Sequence, residues 1–155
     1  MYRKILVPLD GSELAECVLG HVEALAKGCQ TKEIEFVQVY APFQMPPSIE
    51  YLPFNEAEIA EISARIKTVA EEYIRRVVER FDPGPAKVKG VVLSGPVTDT
   101  LTDYIAKNNI DLVVMATHGS SGVSRWVWGS VADRILRSAC VPVLMVRAPG
   151  CFPGI

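Results

Sequence analysis

The chain has 155 residues, 49% of them hydrophobic and 22% charged, so at roughly 150 residues per domain it is one ordinary globular domain. A domain of this size buries about 68–70% of its unfolded surface and needs no disulfide or metal staple. Sixteen Lys and Arg against eighteen Asp and Glu give a net charge of −2, which speaks against a nucleic-acid binder that works by neutralising phosphates.

Lys4-Ile-Leu-Val-Pro8 is a nearly continuous apolar run, as expected of a strand covered on both faces. It is too short for a signal peptide, and no later run reaches the 18 apolar residues of a membrane span. From Ser12 to Lys27 the residues Leu14, Cys17, Val18, His21, Val22 and Leu25 share one helical face, which places His21 in the core. Glu35-Phe-Val-Gln-Val39 predicts a second strand. Pro42, Pro46, Pro47 and Pro53 make the 41–55 segment too proline-rich for regular structure.

The longest helix is predicted from about Glu56 to Arg80, burying Ile59, Ile62, Ile66, Val69, Tyr73 and Val77 and presenting its charges to solvent. Asp82-Pro-Gly-Pro85 ends it. Val88 to Leu93 is a third strand, and Gly95-Pro96 opens a third helix with Pro96 at its first position and Leu101, Tyr104 and Ile105 inward. Asp111-Leu-Val-Val-Met-Ala116 is the fourth strand. A Gly- and Ser-rich loop follows it, then a helix from about Ser130 to Ser138 and a last strand, Val141-Pro-Val-Leu-Met-Val146. This alternation calls for an α/β fold, a doubly wound parallel sheet with helices on both faces. The tail after Arg147 reads as irregular.

Cys17, Cys29, Cys140 and Cys151 form no C-x-x-C pair, and His21 and His118 do not complete a zinc set. Cys17 and Cys140 fall at helix-packing positions with nothing to lower their pKa. A cytoplasmic protein with reduced cysteines is the expectation.

In such a sheet ligands bind beyond the carboxyl ends of the strands, where strand order reverses. Two loops hold such positions: Pro8-Leu-Asp-Gly-Ser12 and the stretch from Thr117 to Ser130. In the second, Gly119 and Gly122 permit close backbone approach, and Gly129-Ser130 opens a helix whose N–H groups favour phosphate. Ser130-Val-Ala-Asp133 equally fits a capping box, which accounts for Ser130 without any ligand. Asp10 fits either a ribose-binding carboxylate or, together with Ser12, a cap on the first helix. Neither G-x-x-x-x-G-K-[ST] nor G-x-G-x-x-G occurs. His118 reads most simply as a loop-packing residue, and Trp126 and Trp128 as surface-loop packing or a partner contact.

Ile5-Leu-Val-Pro-Leu-Asp-Gly-Ser12, Asp111-Leu-Val-Val-Met115 and Val141-Pro-Val-Leu-Met-Val146 together resemble a universal stress protein domain over nearly the whole chain. The nucleotide-binding branch of that family carries G-x2-G-x9-G-[ST]. Here Ala116-Thr-His-Gly119, nine residues, then Gly129-Ser130 match three of its four defined positions, with Ala116 replacing the first glycine. The resemblance implies an adenine nucleotide alpha hydrolase-like fold, a five-stranded parallel sheet of order 3-2-1-4-5. It implies ATP between the first and fourth strands, while Mg2+ beside the phosphates stays open because no carboxylate pair marks its place. Pro8 and Asp10 would contact the nucleoside, with Asp10 on the ribose, and the backbone of Val39 would read adenine. Met115, Ala116, His118 and Gly119, with Gly129, Ser130 and Val131, would surround the phosphates. The Ala116 methyl implies weaker binding rather than none.

The domain is expected over residues 1–148, with 149–155 as the tail. The last strand should form an apolar edge that pairs with a second copy, giving a homodimer. The expected role is a stress-response module that holds ATP. The alternatives are a slow ATP-hydrolysing or phosphoryl-transfer enzyme and a nucleotide-free dimeric scaffold.

Overall fold

The computed structural model describes residues 1–43, 55–117 and 129–147. Five strands form one parallel sheet: β1 (Lys4–Pro8), β2 (Glu33–Tyr40), β3 (Lys87–Ser94), β4 (Leu112–Ala116) and β5 (Val143–Val146). Their order is β3-β2-β1-β4-β5, as the resemblance implied. The helices are α1 (Leu19–Cys29), α2 (Glu56–Arg80), α3 (Val97–Lys107) and α4 (Ser130–Ser138). The 44–54 and 118–128 stretches, with Gly122, Trp126 and Trp128, lie outside the described residues, as does the tail from 148.

Alternation along the strands divides the core into two layers. Ile5, Val7, Ile34 and Phe36 point toward α1 and α2, where Val22, Ala26, Ile74 and Val77 meet them. Leu6, Val37, Val113 and Met115 point the other way, onto Leu101 and Ile105 of α3 and Ala132 and Ile135 of α4. The central strands are buried on both faces, which is why β1 and β4 read as unbroken apolar runs. Asp111 ties the start of β4 to β1, its Oδ2 accepting from the backbone N–H groups of Arg3 and Lys4 at 2.9 Å each.

Several local expectations are corrected. Helical structure does not begin at Ser12: a 3-10 turn, Ala15–Val18, precedes α1. Bonds from Glu16 N to Glu13 O and Cys17 N to Leu14 O hold the chain in this tighter winding. The buried stripe is therefore Val18, Val22 and Ala26, and His21 is exposed rather than in the core. Cys140 is also exposed, one residue past the cap of α4, whereas the half-buried Cys17 thiol is pushed up in pKa by desolvation. Pro96 is the N-cap of α3 and Val97 its first helical residue.

Only the C-terminal half of α2 is fully covered, by way of Ala70, Tyr73, Ile74 and Val77. Ile59 and Ile62 are half-buried, and Ile66 and Val69 are exposed. Its start is closed by a capping box: Asn55 Oδ1 accepts from Glu58 N and Glu58 Oε2 from Asn55 N, at 2.9 and 2.8 Å.

Candidate functional site

The strand register builds the site. β1 pairs with β4 only at Ile5–Leu112 and Leu6–Val113. Beyond that point β1 stays with β2 as far as Pro8–Val37, while β4 stays with β5 as far as Ala116–Val146. The two central strands thus part company at their carboxyl ends, and a cavity of about 260 Å3 opens in the fork.

Most of the expected site residues meet there. Pro8, Asp10, Val39, Met115, Ala116, Gly129, Ser130 and Val131 all line the cavity. His118 and Gly119 lie outside the described residues. Val39 stands past the last β1–β2 pair, so the register leaves its backbone without a β1 partner. Val97 and Leu101 of α3 also line the cavity and were missed as site residues, because helical periodicity marks them only as core. The Gly95-Pro96 turn was the available signal, since it delivers α3 to the same end of the sheet. Thr117, inside the Met115–Gly119 segment expected around the phosphates, also lines the cavity: its N–H donates to Val146 O and its carbonyl accepts from Gly129 N, at 2.8 and 3.0 Å. That second bond joins the end of β4 to the residue that opens α4.

The capping-box reading of Ser130 is overturned. Gly129 is the N-cap, Ser130 is the first helical residue, and no side chain caps the helix. The pattern sits one residue out of phase: Gly129 O accepts from Asp133 N, and the Asp133 carboxylate turns to Arg137 Nε at 3.0 Å. The N–H groups of Ser130, Val131 and Ala132 come too early in the helix for intrahelical acceptors, and all three residues line the cavity. They give this wall a partial positive charge suited to an anion.

Ala116 ends β4 with no left-handed backbone, since Gln30 and Asn109 are the non-glycine residues of positive φ among those described. Its methyl therefore acts through the space it fills in the cavity and not through strain.

Opposite this wall, Asp10 Oδ1 accepts from Ser12 N at 3.0 Å and Ser12 Oγ at 2.6 Å, and Ser12 Oγ accepts from Ala15 N at 3.2 Å. These bonds close the turn and reach Ala15 at the start of the 3-10 turn. Neither side chain caps α1, whose N-cap is Val18 with no side-chain bond, so the expected cap on the first helix is overturned. The same carboxylate borders the cavity. Gly11 makes this turn at φ +89°, a backbone that side chains oppose. Nearby, Glu16 pairs with Arg80, and the buried Tyr73 hydroxyl meets no partner at hydrogen-bond geometry. Burial foremost, then Glu16 and Asp10, push the Tyr73 pKa well above its ordinary value, against a smaller opposite pull from Arg80. The site therefore sets a carboxylate at one rim, apolar walls between, and a helix N-terminus at the other rim.

The Universal stress protein family model matches residues 1–147. Universal stress protein MJ0531 of Methanocaldococcus jannaschii is 30% identical over 96% of this chain and 84% of its own length. Among solved structures, universal stress protein UspA from Lactobacillus plantarum superposes with a TM-score of 0.77 at 21% identity, over 94% of this chain and 98% of that one. A universal stress protein family protein from Arabidopsis thaliana with AMP bound reaches 0.62 at 13% identity, over 95% and 92%. With its sheet order, its forked site and a match along almost all of its length, the chain belongs to the universal stress protein family.

Proposed function

We propose that the chain is a homodimeric, cytoplasmic stress-response module that binds an adenine nucleotide, ATP, in the fork between β1 and β4. The observation that carries this reading is a single, mostly apolar cavity lined both by Asp10 and by the first turn of α4, which no side chain caps. Apolar walls suit a base, a carboxylate suits ribose hydroxyls, and amides at a helix N-terminus suit phosphates. The AMP complex of the Arabidopsis relative supports the same ligand class.

In this reading Pro8 and Asp10 hold the nucleoside, with Asp10 accepting from the ribose, and the backbone of Val39 meets the adenine edge. Met115, Ala116, His118 and Gly119 flank the phosphates with Gly129, Ser130 and Val131. Among the described residues no three His, Cys, Asp or Glu side chains cluster as metal ligands, so Mg2+ would enter on the phosphate oxygens. Residues 1–148 form the binding unit, and 149–155 are appended to it. A second copy pairs along β5, the sheet edge on which Leu144 is 38% exposed.

The test is to denature the purified protein and identify any released nucleotide by absorbance and mass. Retained ATP, lost in Gly119→Val, is the expected result. Bound ADP or AMP with turnover would make the protein an enzyme instead. An empty supernatant, together with no binding of added ATP, would leave a ligand-free scaffold. A monomer in sedimentation would overturn the pairing along β5.

A further inference from the structure

Beside the Asp10–Ser12 turn stands a residue that neither the motif nor the cavity lining includes. Gln38 lies on β2 between two cavity residues, Val37 and Val39, and alternation points it to the opposite face of the sheet, the side of Phe36, α1 and α2. Its amide Nε2 stands 3.3 Å from where a Cβ on Gly11 would be, so it occupies the space that a side chain at that turn would need. Its Oε1 is shut off from solvent and has no hydrogen-bond partner. An unpaired buried carbonyl costs stability, and an apolar side chain of similar length would not carry that cost.

A polar group held at such a cost directly beneath Gly11 is poorly explained by packing. We propose that Gln38 is a positioning residue: its amide props the Gly11 turn and thereby sets the Asp10 carboxylate at the cavity rim. The proposal rests on the nucleotide reading for its ligand, because the property that Gln38 then controls is recognition of ribose hydroxyls by Asp10. Gln38 Nε2 fills the space beside Gly11 where a Cβ would stand, and that turn carries Asp10, whose Oδ1 is fixed by Ser12.

Gln38→Leu keeps the bulk and removes the amide, and Gln38→Met does the same with a more pliant chain. Both are measured against the unaltered protein for binding of ATP and of 2′,3′-dideoxyATP, and for melting temperature. The preference for ATP is expected to fall by about tenfold in both variants, the size of one lost charge-assisted hydrogen bond, while the melting temperature holds or rises. An unchanged preference overturns the proposal. So does a fall in melting temperature with both affinities reduced in parallel, which would make Gln38 a packing residue.

A ligand-free measurement separates this proposal from the nucleotide reading. Hydrogen exchange at the Ser12 amide, which donates to Asp10, should quicken in both variants. If the unaltered protein binds neither nucleotide, the ligand reading fails, and the Ser12 amide alone decides. Faster exchange in the variants then supports the positioning role, and equal exchange overturns it.

Discussion

The two faces of the sheet treat buried polar groups in opposite ways. On the α3–α4 face, Glu35 is fully buried, yet its carboxylate is surrounded by donors: Lys4 Nζ at 3.1 Å, Lys89 Nζ at 3.4 Å and the Tyr104 hydroxyl at 3.1 Å. On the α1–α2 face, the Gln38 carbonyl is buried without a partner, and the buried Tyr73 hydroxyl, close to Glu16, makes no hydrogen bond of good geometry. Glu35 and Gln38 stand three residues apart on β2, and Tyr73 comes from α2. The satisfied cluster lies toward the amino ends of the strands, where no ligand is proposed. The unsatisfied groups lie toward the turn that carries Asp10. Polar satisfaction is thus spent on stability at one end of the sheet and withheld beside the site at the other.

The sharpest way to break this contrast is Glu35→Ala. It removes an acceptor shared by three donors and leaves a cavity. Because Lys4 and Lys89 can turn toward water, the cost should stand at the low end for a broken buried pair, about 3 kcal/mol. For a chain of this size that is a fall in melting temperature of about 2–4 °C per kcal/mol. Nucleotide binding by the folded variant should be unchanged. Equal stability of the variant and the parent protein would show that the cluster holds nothing together. Gly90→Ala tests the other face. A Cβ on Gly90 would stand 2.5 Å from Ile74 Cγ2, in the seam where α2 packs on β3. Relief requires Ile74 to leave its rotamer or α2 to lift, for about 2 kcal/mol. A chemical denaturation midpoint identical to the parent's would mean that this seam has room to spare.

How much of this was legible beforehand depended on whether one element or two supplied the signal. The strands and α2 were readable because periodicity is local: Lys4–Pro8 and Glu56–Arg80 form where the pattern puts them. His21 was misplaced because its environment depends on where α1 begins, and the Gly11 turn and the 3-10 winding after it set that. Val69 is exposed although Ala70 beside it is buried, because the covered stripe of α2, Ala70, Tyr73, Ile74 and Val77, is turned from the one that the apolar spacing marks. At the site, the motif residues were visible as a string. That Ser130 is uncapped was not, since the choice of Gly129 as N-cap is made by its bond to Thr117 across the fork. Glu35 and Gln38 carry no sequence signature, because what distinguishes them is supplied by β1, β3, α2 and α3.

The smallest effect discriminates best, because the same chemical change is made on both faces. Tyr104→Phe removes a donor from the buried Glu35 carboxylate and should cost about 1 kcal/mol at neutral pH. Tyr73→Phe removes a buried hydroxyl whose approach to Glu16 falls short of hydrogen-bond geometry, so stability should hold or rise by up to about 1 kcal/mol. In alkali the two converge. Burial first, and then Glu35, push the Tyr104 pKa up to about 12 from 10.0. Between those values the unfolded chain has released the phenolic proton and the folded chain has kept it. The folded state therefore binds more protons, and stability falls as pH rises through that window. Tyr73, raised chiefly by burial, contributes with the same sign. Each variant should thus unfold less steeply with pH above 10 than the parent, although only Tyr104→Phe begins from a lower plateau. If Tyr73→Phe lost as much at pH 7 as Tyr104→Phe, its hydroxyl would have a partner in solution, and the contrast between the two faces would reduce to a difference in burial alone.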